Sequence, residues 1–165
     1  MAGYTGTNNP LLVTYHQLAF SRLPAVSYFC QTVKLPGLGV GSVEQPTPFG
    51  LPINIPSGAI RFEELEIKFK VDENLKNWLE LYNWIRGNGN LGDCDEQPLP
   101  RNLKTDSSGI LLITNSSYKP KFKVSFKNLW PTAVSGIEFS TALPESMEVI
   151  ATASFMYTTH KVEVV

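Results

Sequence analysis

The sequence predicts a mainly β fold: an antiparallel β-sandwich or barrel with one packed α-helix and a long protruding β-hairpin. Three observations predict it. Most apolar stretches alternate with polar residues at period two, as half-buried strands do. Only one stretch repeats its apolar residues at offsets of three and four. Glycine and proline, 12 of each in 165 residues, punctuate almost the whole chain and keep the elements short. Strands in series with hairpin-scale connections give antiparallel sheets. The length fits a single domain over 1–165, able to bury roughly two thirds of its unfolded surface.

The polar start, residues 1–11, is expected to be a flexible tail. Leu12–Phe20 and Val26–Leu35 read as strands on either side of a turn at Arg22–Pro24. Gly37 to Gly58 reads as a long hairpin with its tip around Gln45–Gly50. Pro46 and Pro48 fall in that tip, where a missing N–H matters little. Pro52 and Pro56 fall in the returning arm, where each removes a ladder donor. Phe62–Val71 is the clearest strand, with Leu65, Ile67, Phe69 and Val71 on one face and Glu66, Lys68 and Lys70 on the other. Asp72 then offers an N-cap oxygen to a helix over 73–86. Its apolar stripe is Leu75, Trp78, Leu79, Tyr82 and Ile85, and Gly87 follows as a C′ residue.

Residues 88–108 have turn residues, scattered charge and no periodicity, and read as a long contact-making loop. Strands resume at Ile110–Thr114, Lys121–Lys127, Gly136–Ser140 and Met147–Thr158. The expected core is Leu65, Ile67, Phe69, Trp78, Tyr82, Phe122, Val124, Trp130 and Phe155.

Charge and chemistry narrow the function. Charged residues are 18% of the chain and the formal net charge is −1. A dedicated nucleic-acid binder usually carries a basic excess, and near-neutrality suits self-association. No apolar run reaches the ~18 residues a membrane helix needs. The first ten residues lack the basic and apolar regions of a cleaved signal. Cys30 and Cys94 are far apart and form no metal spacing, so two reduced cysteines are expected, Cys30 buried in a strand.

His16 and His160 belong to no triad signature and read as surface or hydrogen-bonded strand histidines. The glycines at 37, 39 and 41 lack the following helix that a phosphate cradle requires. Asp93, Asp95 and Glu96 supply too few oxygens for calcium. The lysines at 119, 121, 123 and 127 line a strand face without interleaved aromatics, which gives no stacking platform for single strands. No catalytic residue, metal ligand or cofactor is expected, and the chain is not expected to be an enzyme.

What stands out is the hairpin. Between Gly37 and Gly58 the only charged residue is Glu44. An apolar ribbon projecting from a small sandwich leaves unpaired edges and exposed area, a hazard in a soluble monomer. Copies arranged in a ring resolve it by pairing arm to arm and closing a barrel.

The serial order of these segments resembles the tail tube proteins of contractile-tailed bacteriophages. The resemblance rests on Leu129-Trp130-Pro131-Thr132, then Val134, Ile137 and Phe139, then the alternating strand Met147–Tyr157. It continues upstream in Phe29-Cys30-Gln31 and Leu35-Pro36, the Gly-rich hairpin, the strand Phe62–Val71, an acidic turn and a Trp-bearing helix.

The resemblance implies hexameric rings with a shared β-barrel lumen, stacked as the tube of a contractile tail. It also implies a sheath protein outside, baseplate and terminator proteins at the tube ends, and DNA passing through without specific binding. No membrane partner is implied. The protein would be made in the bacterial host cytoplasm and end in the virion tail. On this expectation Ser42, Glu44 and Asn54 face the lumen, and Val40, Val43, Phe49, Leu51, Ile53 and Ile55 make the contacts between subunits. The leading expectation is a tube subunit. The alternatives are a tube initiator, a baseplate or terminator protein of the same fold, or the tube of a phage-derived injection system. Outside the family, the alternative is a monomeric ligand-binding β-sandwich.

Overall fold

A computed structural model describes residues 16–48, 50–89, 107–115, 118–140 and 148–165. The expected N-terminal tail and nearly all of the 88–108 loop, with Cys94, lie outside the described residues. The elements run β1 (His16–Phe20), α1 (Pro24–Phe29), β2 (Cys30–Lys34), β3 (Leu38–Gln45), β4 (Ile53–Phe62), β5 (Leu65–Lys70), α2 (Lys76–Asn88), β6 (Gly109–Thr114), β7 (Pro120–Lys127), β8 (Trp130–Val134), β9 (Ile150–Met156) and β10 (Thr159–Val164). They form two four-stranded sheets, ordered β1-β6-β7-β10 and β2-β5-β9-β8, and a separate two-stranded ribbon, β3-β4. Every strand pair is antiparallel.

Register explains how the sheets fill the space between them. On β5, Leu65, Ile67 and Phe69 are fully buried on one face. On β9 they stand opposite Phe155, Ala153 and Ala151. Small residues beside Ile67 and Phe69 leave room for side chains of the facing sheet, so the layers interdigitate. That sheet contributes Leu18, Phe20, Leu111, Val124 and Phe126. The Phe20 and Phe155 rings stack across the interior with centroids 5.1 Å apart. The chain crosses from one sheet to the other between β7 and β8 and back between β9 and β10. Thr158 N donates to Lys127 O at 3.0 Å and ties the two crossings together.

Several expectations need correction. A six-residue helix, α1, interrupts the predicted strand at Val26–Leu35. Pro24 sits in its first turn, where a missing N–H costs nothing, and Val26 is fully buried. The helix α2 begins at Lys76, with Leu75 in the left-handed region at φ 56°, so Asp72 is not its cap. Asn77 instead serves the entry to the helix. Its side chain accepts from Asp72 N at 3.1 Å and Trp78 N at 2.9 Å and donates to Lys70 O at 2.8 Å.

The buried side of α2 therefore runs through Asn77 and Leu81, not through the predicted stripe. Tyr82 is 40% exposed, and Trp78 is half-buried with Nε1 donating to Ser135 O at 3.1 Å. Phe122 and Trp130, expected inside, are 37% and 36% exposed. Trp130 opens the edge strand β8, while the predicted strand at 136–140 has no regular structure. Pro131 is tolerated there because an edge strand has a free side. Cys30 is half-buried at the start of β2, and burial pushes its thiol up to about 11. A strand after Thr158, β10, is a further finding.

Candidate functional site

The ribbon β3-β4 continues the predicted hairpin to Phe62, four residues beyond Gly58. Its base is closed by two hydrogen bonds of 3.2 Å: Glu63 N donates to Gly37 O, and Gly37 N donates to Glu63 Oε2. At the tip, Gly50 N donates to Thr47 O at 3.2 Å and Thr47 Oγ1 donates to Leu51 O at 2.6 Å. Neither arm pairs with a third strand among the described residues. Both outer edges therefore present unpaired backbone groups.

The register shifts between Val40 and Ser42. Val40 faces Ile60, whereas Ser42 faces Pro56, so β4 carries extra residues there. Two glycines make the irregularity possible. Gly58 has φ +75°, and a Cβ on Gly41 would stand 2.9 Å from Ser57 Oγ. Pro56 ends the tip-side ladder next to the shift, where a missing donor is least damaging.

Alternation along β3 then assigns faces. Ser42 and Glu44 share one face, and Asn54 stands opposite Glu44 on it. Val43 opposite Ile55, and Gln45 opposite Ile53, occupy the other face. Below the shift the apolar side changes. Leu38 and Val40 lie on the face that carries Glu44, with Ile60 beside them. The ribbon thus shows apolar area on both sides: Val40, Val43, Ile53 and Ile60 are each more than half exposed, and Ile55 is 42% exposed. Leu51 lies exposed in the turn, and Phe49 is outside the described residues. Leu38 and Ile60 were not among the sequence-derived contact residues. Their alternation with glycine and Arg61 was the available signal. Arg61, opposite Gly39, is the ribbon's one cation and lies on the face away from Glu44.

One cluster anchors the ribbon to the sandwich. Phe62, the last residue of β4, meets Tyr157 and His160 at centroid distances of 5.8 and 5.2 Å. Phe126 completes the group, 5.1 Å from Tyr157 and 5.9 Å from His160. Tyr157 Oη donates to Glu63 O at 2.8 Å, and burial pushes its phenol up to about 12. The predicted strand Met147–Thr158 stops short of His160, and that end hid this cluster. The alternation of His160, Val162 and Val164 could have revealed it.

A family model described as phage tail tube protein matches residues 8–163. The chain is 28% identical over 137 residues to the tail tube terminator protein of Enterobacteria phage T4, covering 81% of this chain and 76% of that one. Its fold superposes on the tube terminating cap of the anti-feeding prophage with a TM-score of 0.70 at 12% identity, covering 99% of this chain and 97% of that one. It also superposes on a chain of the PVC sheath-tube complex, an extracellular contractile injection system in its extended state. There the TM-score is 0.68 at 14% identity, with 96% and 94% of the chains covered.

Proposed function

The chain belongs to the phage tail tube protein family, and from that premise we propose that it is a non-enzymatic structural subunit of a contractile phage tail. It closes into a hexameric ring that terminates the tail tube. The observation that carries the ring is the ribbon: two bare edges and apolar side chains on both faces, with no cover in its own chain among the described residues. Sister copies that pair with those edges remove them and close a barrel. Likeness to a tail tube terminator over 81% of the chain favours the end of the tube over its shaft. The second reading is the repeated tube subunit itself, favoured by the family description.

In this reading the partners are copies of itself, the adjoining tube ring and the sheath around it, and the protein resides in the virion tail. Ser42, Glu44 and Asn54 line the lumen, Val43, Ile53 and Ile55 on the opposite face meet neighbouring subunits, and Val40, expected at that contact, shares the Glu44 face. The lumen side of the ribbon carries a carboxylate and no Lys or Arg, so it offers no partner to DNA phosphates and does not retain the genome in transit.

Electron microscopy of the purified protein tests the ring. Rings with a central hole support it; a uniform monomer at high concentration overturns it. Copy number per particle separates the two readings, because a terminator is present as a single ring and a tube subunit as many.

A further inference from the structure

We propose that His160 is a proton-operated clamp on the base of the β3-β4 ribbon: the neutral imidazole holds the ribbon against the sandwich, and the imidazolium loosens it and weakens ring assembly in acid. The link to assembly rests on the ring reading above.

His160 is wedged among three other rings where the ribbon leaves the body. Phe62 and Tyr157 stand at 70° and 72° to it, Phe126 at 44°. It also faces Phe126 across the β7–β10 ladder. Its Nδ1 is buried and, among the described residues, has no hydrogen-bond partner. A neutral ring tolerates this, because Nδ1 can remain an unprotonated acceptor while Nε2 carries the hydrogen. A proton taken from water onto Nδ1 creates a buried N–H with no acceptor and a charge among apolar rings. Burial accordingly pulls the imidazole below its ordinary range.

Among the described residues, no carboxylate is turned toward the imidazole and the nearby cations point away from it. Arg61, Lys127 and Lys161 each follow or precede a ring of the cluster by one residue, so alternation turns them to the opposite faces. Glu163 pairs with Lys161 at 2.8 Å on that outer side. The Glu63 carboxylate is turned to Gly37 N. Tyr157, held at about 12, stays a neutral donor throughout. His160 is therefore the group in this cluster that gains a charge as the solution is acidified.

The sign follows. The native pKa lies below the unfolded value of about 6.5, so the unfolded or detached form takes up the proton more readily. Anchorage is full at pH 7.5 and declines as pH falls through about 6.5. The loss is about tenfold in the anchored-to-detached ratio for each unit of separation between the two pKa values.

The test is an NMR pH titration of the dilute monomer between pH 8 and 5. The expected result is a His160 pKa below about 6.5, with the amide signals of Gly37, Phe62 and Glu63 moving at the same midpoint and those of β5 unmoved. His160→Phe should make the ribbon-base signals flat in pH. A His160 pKa at or above about 6.5, or ribbon-base amides that ignore it, overturns the clamp, and this holds even if the variant does not fold. Ring yield is measured separately at pH 7.5 and 5.5, with a fall expected for the natural chain and none for His160→Phe. No rings at pH 7.5 defeats the ring reading and leaves the titration standing. Equal yields at both pH values, with the base loosened, defeats the link to assembly.

Discussion

The sandwich and the ribbon are built from the same material, alternating strands rich in Val, Ile and Leu, yet one consumes its apolar faces and the other displays them. Leu65, Ile67 and Phe69 find a second sheet and fall to zero exposure. Val43, Ile53 and Ile55 have equal claim to burial by composition and remain in water. The difference lies in pairing. The sandwich strands sit in two sheets that cover each other, whereas the ribbon, among the described residues, has one partner strand per arm and no sheet paired beyond it. Stability in this chain therefore comes from the body, and the proposed assembly draws on the arm.

Mutations can break or sharpen that contrast. The largest effect on the body is expected from Phe155→Ala, which removes a fully buried ring stacked on Phe20. Urea unfolding of the monomer should show a loss of about 3–5 kcal/mol. A loss below about 1 kcal/mol would mean that the interior repacks freely and that the body is not the source of stability.

Ile55→Asp should do the reverse. Monomer stability should stay within about 0.5 kcal/mol of the natural chain, as for surface substitutions. Ring formation, followed by mass photometry, should weaken by about 2 kcal/mol or more, as at an interface hot spot. Rings that form at natural concentrations despite the carboxylate would remove the ribbon from the interface.

Trp130→Ala is a smaller and more discriminating change. The side chain is 36% exposed on an edge strand, so the expected loss is about 1–2 kcal/mol, well short of a buried tryptophan. The smallest structural effect is expected from Glu44→Lys. It should leave unfolding and ring yield unchanged and slow DNA release from particles, more so at low salt. Unaltered release at every salt concentration would place Glu44 away from the channel.

Much of this fold was legible because period-two alternation reports burial on one face directly. β7 was read to within one residue of its observed bounds, β5 was read with its faces correct but with Phe62, which ends β4, taken into it, and the ribbon was read from its glycines and its lack of charge. What escaped depends on contacts between distant residues. The helix α1 is too short for periodicity to detect, and its Val, Tyr and Phe favour strand locally. The strand β8 contains a proline that argues against any strand until its edge position is known. The stripe on α2 was misplaced because Asn77, a polar residue, takes a core position to serve the backbone of Lys70 and Asp72. Trp130 and Phe122 look like core residues by type, but Trp130 stands opposite Met156 on the sheet face away from buried Phe155, and Phe122 lies toward the start of β7, ahead of the buried Val124 and Phe126.

The candidate site divides in the same way. Ser42, Glu44 and Asn54 share a face because all three lie on the tip side of the shift, where Glu44 stands opposite Asn54. The even shift near Gly58 keeps Ile60 on that same face, an odd one would have reversed it, and the sequence alone does not distinguish the two. The ring cluster at the ribbon base joins residues nearly one hundred positions apart, beyond any local pattern.

The central claim is that sister copies complete the ribbon, and amide hydrogen exchange measured against concentration tests it most directly. Dilute monomer should show fast exchange at the outer-edge amides of β3 and β4 and slow exchange in β5 and β9. In assembled rings the ribbon amides should slow markedly while the body stays unchanged. Ribbon amides that are already protected in the dilute monomer, or that still exchange freely within rings, would contradict the account.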